Sequence, residues 1–436
     1  MNRTRLAFAL LAVPLAGLAA GCGGSGGGGG GASGSSDVKG SISITGVWTG
    51  DEQKAFQAVL DGFTAKYPNV KVKYNPSGDN TPTVLSTAVQ GGNPPDLASV
   101  SQPGLMKDFQ KKGALKPLDF AKSDISDNYP ADFVKLGTID GKLYGLIFKG
   151  ANKSTVWYNV KSFKDAGVDP PKTWDDLIKD ASTLKASGVT PFSVGGADGW
   201  TLTDLFENIY LRQAGGDMYD KLSNHTIKWT DPSVTKALTT MGQYLQSGDI
   251  AGGTSGALQT DFPTSVSNVF SATPKAALVA EGDFVPGVVA SSNPLKPIDG
   301  YNVFPFPSVD GSAESVVGGG DTIMMFKDSP AAEALIKYLA TPEASEIWAG
   351  KGGFSSPNKN LDTSVYPDEI TKTTASALAT TKVFRFDMSD LQPAAFGGTV
   401  GQGEFKIFQD FLKNPSDVNG TASALEDSAA KAYASK

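Results

Sequence analysis

Aromatic rings and short polar side chains recur together just after runs that alternate like β-strands. Trp48 stands beside Asp51 and Glu52 after the run from Ser41 to Val47. Gln102 follows the run from Pro95 to Val100. Asp198 and Trp200 share the loop Gly195-Gly196-Ala197-Asp198-Gly199-Trp200, and Asp283 and Phe284 follow the apolar run from Ala276 to Ala280. A flat apolar ring suits the C–H face of a sugar, while carboxylates, amides and guanidinium groups suit its hydroxyls. Arg385 offers a bidentate clamp for hydroxyls or for a carboxylate such as Asp387. Phe354, after Gly352-Gly353, offers a second aromatic wall. Trp157 and Tyr158 are neighbours on a strand-like run, so they point to opposite faces and at most one can meet a ligand. Each candidate has a plainer alternative. Trp48 can pack at a strand end, Gln102 can open a helix, and Arg385 with Asp387 can be a structural ion pair. The acids also admit catalysis. A glycoside hydrolase needs two carboxyl groups about 5–10 Å apart, one with a raised pKa, and Asp198, Asp283 and Asp387 are its candidates.

Other chemistries are excluded by count. The 436 residues contain one cysteine and one histidine. One cysteine makes no intramolecular disulfide and no Cys-rich zinc site. One histidine, His225, lies among polar residues and reads as a surface side chain, so neither a histidine metal cluster nor a Ser-His-Asp triad is expected. No metal and no cofactor is expected. The net charge of −7 argues against nucleic acid, whose phosphates call for clustered Lys and Arg.

The elements that must position these residues begin after a leader. Arg3 and Arg5 precede an apolar stretch from Leu6 to Ala16, followed by small residues up to Gly21. This is the pattern of a secretory signal, too short for a mature membrane span. Cys22 directly after Leu18-Ala19-Ala20-Gly21 resembles a bacterial lipoprotein signal, in which the thiol is acylated. Residues 22–40 are dominated by Gly, Ser and Ala and cannot bury a core, so they read as a flexible tether.

From Ser41 the pattern runs strand, helix, strand, helix, strand: Ser41 to Val47, Asp51 to Lys66, Val70 to Tyr74, Thr83 to Gln90 and Pro95 to Val100. That alternation implies a parallel sheet with crossover helices. Strand-like runs follow from Lys142 to Phe148, Ser154 to Tyr158, Val189 to Val194, Ala276 to Ala280, Tyr301 to Phe304 and Val316 to Phe326. Thr173 with Asp176 forms a capping box for a helix to about Ala186, and Asp231-Pro232 opens another. Further helices are expected over Pro103 to Lys112, Leu202 to Gln213, Ala331 to Leu339, Pro342 to Ala349, Glu404 to Lys413 and Ala422 to Tyr433. The class is α/β.

The order of these pieces resembles the extracellular solute-binding lipoproteins of bacterial ABC sugar importers, the family that includes maltose-binding protein. Four motifs carry the resemblance beside the leader. They are Thr45-Gly46-Val47-Trp48, Gly91-Gly92-Asn93-Pro94-Pro95-Asp96-Leu97, Pro170-Pro171-Lys172-Thr173-Trp174-Asp175-Asp176-Leu177, and Tyr338-Leu339-Ala340-Thr341-Pro342-Glu343-Ala344. Glu281-Gly282-Asp283-Phe284 and the run Arg385 to Pro393 look like the α-glucoside-binding subgroup.

The resemblance implies a two-lobed periplasmic-binding-protein fold with a hinged cleft between the lobes. Residues 1–21 would be the signal peptide and 22–40 the tether. Lobe 1 would take 41–152 and 304–340, and lobe 2 would take 153–303 and 341–436. Crossings are expected near Gly150 to Thr155, Tyr301 to Pro307 and Leu339 to Pro342. Gly319, Gly320 and Asp321 resemble the family's glycine-rich cleft segment, where bare backbone could approach the ligand; a β-bulge is the alternative. The implied protein is a non-catalytic, monomeric receptor on the outer face of the cytoplasmic membrane. It would hand an oligosaccharide such as maltose or trehalose to the permease subunits of an importer. The runner-up is another polar solute, such as glycerol phosphate, a polyamine or a peptide. A phosphate would want convergent cations, and the candidate loops offer only Arg385.

Overall fold

The computed structural model describes residues 37–292 and 295–434. The leader, Cys22 and most of the tether lie outside the described residues. The described residues contain twelve strands in chain order: β1 (Gly40–Gly46), β2 (Val70–Pro76), β3 (Leu97–Val100), β4 (Thr138–Ile139), β5 (Lys142–Leu143), β6 (Gly145–Asn152), β7 (Thr155–Asn159), β8 (Phe192–Ser193), β9 (Leu278–Ala280), β10 (Tyr301–Pro305), β11 (Val316–Met325) and β12 (Phe384–Phe386).

The first three strands pair in parallel, with Ser43 opposite Lys73 and Thr45 opposite Ala98. Between them lie the helices Gly50–Lys66 and Thr81–Gln90, as the alternating pattern requires. The first helix buries Phe56, Val59, Leu60 and Phe63 along one stripe. The long strand β11 completes this sheet. It runs antiparallel to β3 and β6 and parallel to β12. A second sheet has the order β10-β7-β9-β8, antiparallel except for the β8–β9 pair. Thr173 caps its helix by accepting from the Asp176 amide at 3.2 Å, and Asp231 accepts from Ser233.

Each sheet has its own core. Trp48, Phe56, Phe148, Trp348 and Phe354 belong to the first; Trp174, Phe206, Trp229 and Phe408 belong to the second. The chain passes from the first sheet to the second at Asn152–Thr155. It returns between Pro305 and Val316, and leaves again where β12 gives way to the helix Met388–Leu391.

Two boundaries therefore differ from the sequence expectation. Residues 304–315 stay with the second core, where Phe304, Phe306 and Val309 are buried. Residues 341–366 stay with the first, because Ala344, Trp348, Phe354 and Tyr366 fill it; Ile370 beyond them packs against Trp157 and Tyr301. The third crossing lies at Phe386–Met388, not at Leu339–Pro342, which merely joins two helices over one core. The segments after Phe386 then pack into the second core through Met388, Phe396, Phe411 and Leu425.

Candidate ligand-binding cleft

A cavity of about 990 Å³ lies where strand ends of the two sheets meet. Its lining comes from the loops after β1 and β3, the crossing at Lys149–Lys153, the loops after β8 and β9, and the turn beyond β12. Ligand clefts in open α/β sheets form beyond strand ends in this way.

One wall is aromatic. Trp200, Phe262 and Phe284 form a triangle with ring centroids 5.4 Å, 6.0 Å and 5.2 Å apart. Trp200 opens the helix Trp200–Ala214 and Phe262 opens the helix Phe262–Phe270. Asp198 ties the two together by accepting from the Phe262 amide at 2.6 Å. Burial pushes the Asp198 carboxyl up to about 6, helped by Asp79 and Asp261 and opposed by that hydrogen bond.

The opposite wall is an ionic network. Asp321 accepts from the Trp48 indole N–H at 2.6 Å and from the Ser101 hydroxyl at 2.8 Å. Lys149 donates to Glu52 and stands 3.9 Å from Asp321. Its ammonium also lies 5.5 Å from the Phe284 ring centre and 5.8 Å from that of Trp348. Burial works against the Lys149 charge, but Glu52 and Asp321 outweigh it and raise its pKa. Burial raises the Glu52 pKa, against the pull of Lys149.

At the base, Lys153 pairs with Asp204 at 3.0 Å, with Asp387, and with Asp390 at 3.9 Å. Burial, then Asp387, drive the Asp204 pKa well above the usual range, although Lys153 opposes the shift. Asp387 goes the other way. Burial opposes its charge, yet Lys153 and the Asp390 amide, which donates to it at 3.0 Å, hold its carboxyl down to about 2.

The structure sorts the sequence candidates. Glu52, Gln102, Asp198, Trp200, Phe284, Gly320 and Asp321 line the cavity. Trp48 reaches it as part of the floor, but the residue is 0% exposed and its ring is wedged between Phe56 at 4.5 Å and Trp348 at 4.9 Å. It anchors Asp321 and offers no free face. Gly320 serves strand packing. A Cβ there would stand 2.7 Å from Ile147 Cγ2 and 2.8 Å from the Lys149 carbonyl, and the register slips at Asp321–Thr322, as in the bulge alternative.

Four expected ligand contacts, Trp157, Asp283, Phe354 and Arg385, are corrected. Trp157 packs in the second lobe and donates to Thr155 Oγ1 at 3.0 Å and the Gly282 carbonyl at 3.1 Å. Tyr158 does point the other way, but into Phe163 and Phe304, so neither meets the cleft. Asp283 is buried behind the cavity and accepts from Ser355. Phe354 stacks on Trp348 in the first core, centroids 5.1 Å apart. Arg385 pairs with Asp220 at 2.7 Å on the surface, while Asp387 belongs to Lys153. The three carboxylates proposed for hydrolysis do not converge on one ligand position.

Sequence reasoning missed Lys149, Lys153, Asp79, Phe262 and Asp390. Lys149, inside the run from Leu146 to Ala151 that is otherwise without charge, was the available signal, and Lys153 follows just past the end of that strand. A cation in a strand buried on both faces must have partners. Nothing local marks Phe262, which is an ordinary first helical residue after the cap Asp261.

The cavity therefore combines an aromatic wall with carboxylate acceptors. Its two inner cations are already engaged by its own acids. Among the described residues, no Lys or Arg forms an ion pair with Asp79, Asp198 or Asp261.

Comparison with known proteins follows the same line. The profile of the family described as "Bacterial extracellular solute-binding protein" matches residues 48–346. The Osmoprotective compounds-binding protein GgtB of Synechocystis sp. is 34% identical over 372 residues, covering 84% of this chain and 86% of that protein. The Alpha-glucosides-binding periplasmic protein AglE of Rhizobium meliloti is 34% identical over 400 residues, covering 88% and 86%. Among solved structures, the bacterial solute receptor AcbH superposes with a TM-score of 0.79 at 21% identity, over 90% of this chain and 99% of that one.

Proposed function

The chain belongs to the bacterial extracellular solute-binding proteins, and we propose that it captures a neutral oligosaccharide, an α-glucoside such as maltose or trehalose, for an ABC importer. The observation that carries the reading is the pairing of the Trp200–Phe262–Phe284 wall with carboxylates across one cavity. Sugar C–H faces stack on the rings, and hydroxyls donate to Asp321, Glu52 and Asp198. The two buried cations of the cavity, Lys149 and Lys153, are neutralised in place, which leaves a phosphorylated or acidic ligand only the exposed Lys351 at the rim. The relative named for α-glucosides supports the choice of sugar class.

Capture works by hinge closure. Lobe 1 takes residues 37–152 and 316–386, lobe 2 takes 155–315 and 388–434, and the connectors bend between them. The closed state buries the solute and presents one surface to the permease. Cys22 carries the lipid that tethers a monomeric receptor to the outer face of the membrane, and the segment 22–40 gives it reach. A second reading is favoured by the three acids without an ion-pair partner: a cationic solute such as a polyamine.

The test is thermal unfolding of the full chain with maltose, trehalose, glucose 6-phosphate, glycerol 3-phosphate and spermidine. A ligand at a hundredfold its dissociation constant adds about 2.7 kcal/mol. A shift with a neutral α-glucoside and none with either phosphate supports the sugar reading. A shift with spermidine alone replaces it with the second.

A further inference from the structure

Lys153 occupies the short connector between β6 and β7, where the chain first leaves one lobe for the other. Its backbone is held from both sides. The amide donates to the Val317 carbonyl of β11 at 2.9 Å, and the carbonyl accepts from Asn208 of the helix Trp200–Ala214 at 2.9 Å. The ammonium reaches further. It meets Asp204 on that helix, Asp387 on the last connector and Asp390 in the helix Met388–Leu391 that follows it, and stands 5.5 Å from the centre of the Trp200 ring in the cleft wall.

One charge thus touches two connectors, a second-lobe helix and the aromatic wall. Three acids share this single cation, and Oδ2 of both Asp204 and Asp390 is buried without a hydrogen-bond partner. A buried charge set of this kind stabilises one arrangement of its members and penalises others strongly. Rotation of one lobe against the other changes the path between the Asn152–Thr155 and Phe386–Met388 connectors, so it must move the ammonium relative to Asp387 or Asp204.

We infer that Lys153 is a positioning residue that fixes the relative setting of the two connectors and of Trp200, and so sets ligand affinity through the hinge. The inference rests on the sugar-receptor reading for its affinity consequence only.

The experiment compares full-chain wild type with Lys153→Met, which keeps an unbranched stem up to Cε and removes the charge. Amide hydrogen exchange without ligand should speed up at least tenfold over 149–156 and 384–392, with β1, β2 and the helix Pro232–Tyr244 unchanged. Maltose or trehalose affinity should fall at least tenfold, and Lys153→Arg should recover most of it. Exchange that is unchanged, or accelerated equally everywhere, overturns the inference, as does an affinity within twofold of wild type. If Lys153→Met does not fold, Asp390→Asn keeps the Lys153 pairs with Asp204 and Asp387, and the same local pattern is expected at a few-fold amplitude; its absence overturns the inference. A wild type that binds neither sugar removes the substrate class, and the exchange comparison still decides the role of Lys153.

Discussion

Replacing Asp283 by asparagine should stabilise the protein at neutral pH and leave it unchanged in acid. Asp283 is 3% exposed and accepts from the Ser355 hydroxyl. Burial pushes its carboxyl up from 3.8 to about 6, against the hydrogen bond from Ser355. Between those values the folded chain keeps a proton that the unfolded chain releases. Stability therefore falls as pH rises through that window and is level above it. The gap is roughly 2 units at about 1.4 kcal/mol each, so the charged form costs about 3 kcal/mol at neutral pH. Asparagine carries no charge, and its Oδ1 still accepts from Ser355. For a body of roughly 400 residues, an unfolding entropy of about 2.1 cal/mol/K per residue turns this gain into roughly 3–4 °C. Differential scanning calorimetry of both proteins at pH 7.5 and pH 4 reads it directly. Asp283→Asn should melt about 3 °C higher at pH 7.5 and within about 1 °C of wild type at pH 4. An equal offset at both pH values, or a lower melting point at pH 7.5, refutes the argument from burial.

Other perturbations separate packing from binding. Trp48→Ala empties the centre of the first core and should cost about 3–5 kcal/mol in a denaturant titration. Gly320→Ala forces a methyl against Ile147 and the Lys149 carbonyl, and the same titration should show about 1–3 kcal/mol lost to overpacking. Arg385→Ala removes only a partly exposed pair with Asp220. It should change stability by less than about 1 kcal/mol and leave ligand affinity, measured by calorimetry, where it was.

Much of the architecture was legible because it is local. Period-2 and period-3.6 patterns, the Thr173 capping box and the Asp231-Pro232 start all correspond to elements of the fold. The cleft was legible only in part. Trp48 and Phe354 occupy loop positions much like those of Trp200 and Phe284. What separates them is whether a distant segment covers the ring, and Trp348 covers Trp48 from 300 positions away. The cations escaped for a related reason. Lys149 finds Glu52 at a separation of 97 residues and Lys153 finds Asp387 at 234, and no short-range pattern reports such a pairing. The third crossing was misplaced because Leu339–Pro342 looks like a boundary, with one helix ending and another beginning, while both helices lie on the same core.

The central claim is that a neutral α-glucoside binds against the aromatic wall. Isothermal titration of maltose and of trehalose into the full chain and into its Trp200→Ala variant tests it most directly. Wild type should bind at least one of the two sugars, and the variant should bind it at least tenfold more weakly, a loss of about 1.4 kcal/mol or more. No heat with either sugar in wild type, or equal affinity in the variant, contradicts the account.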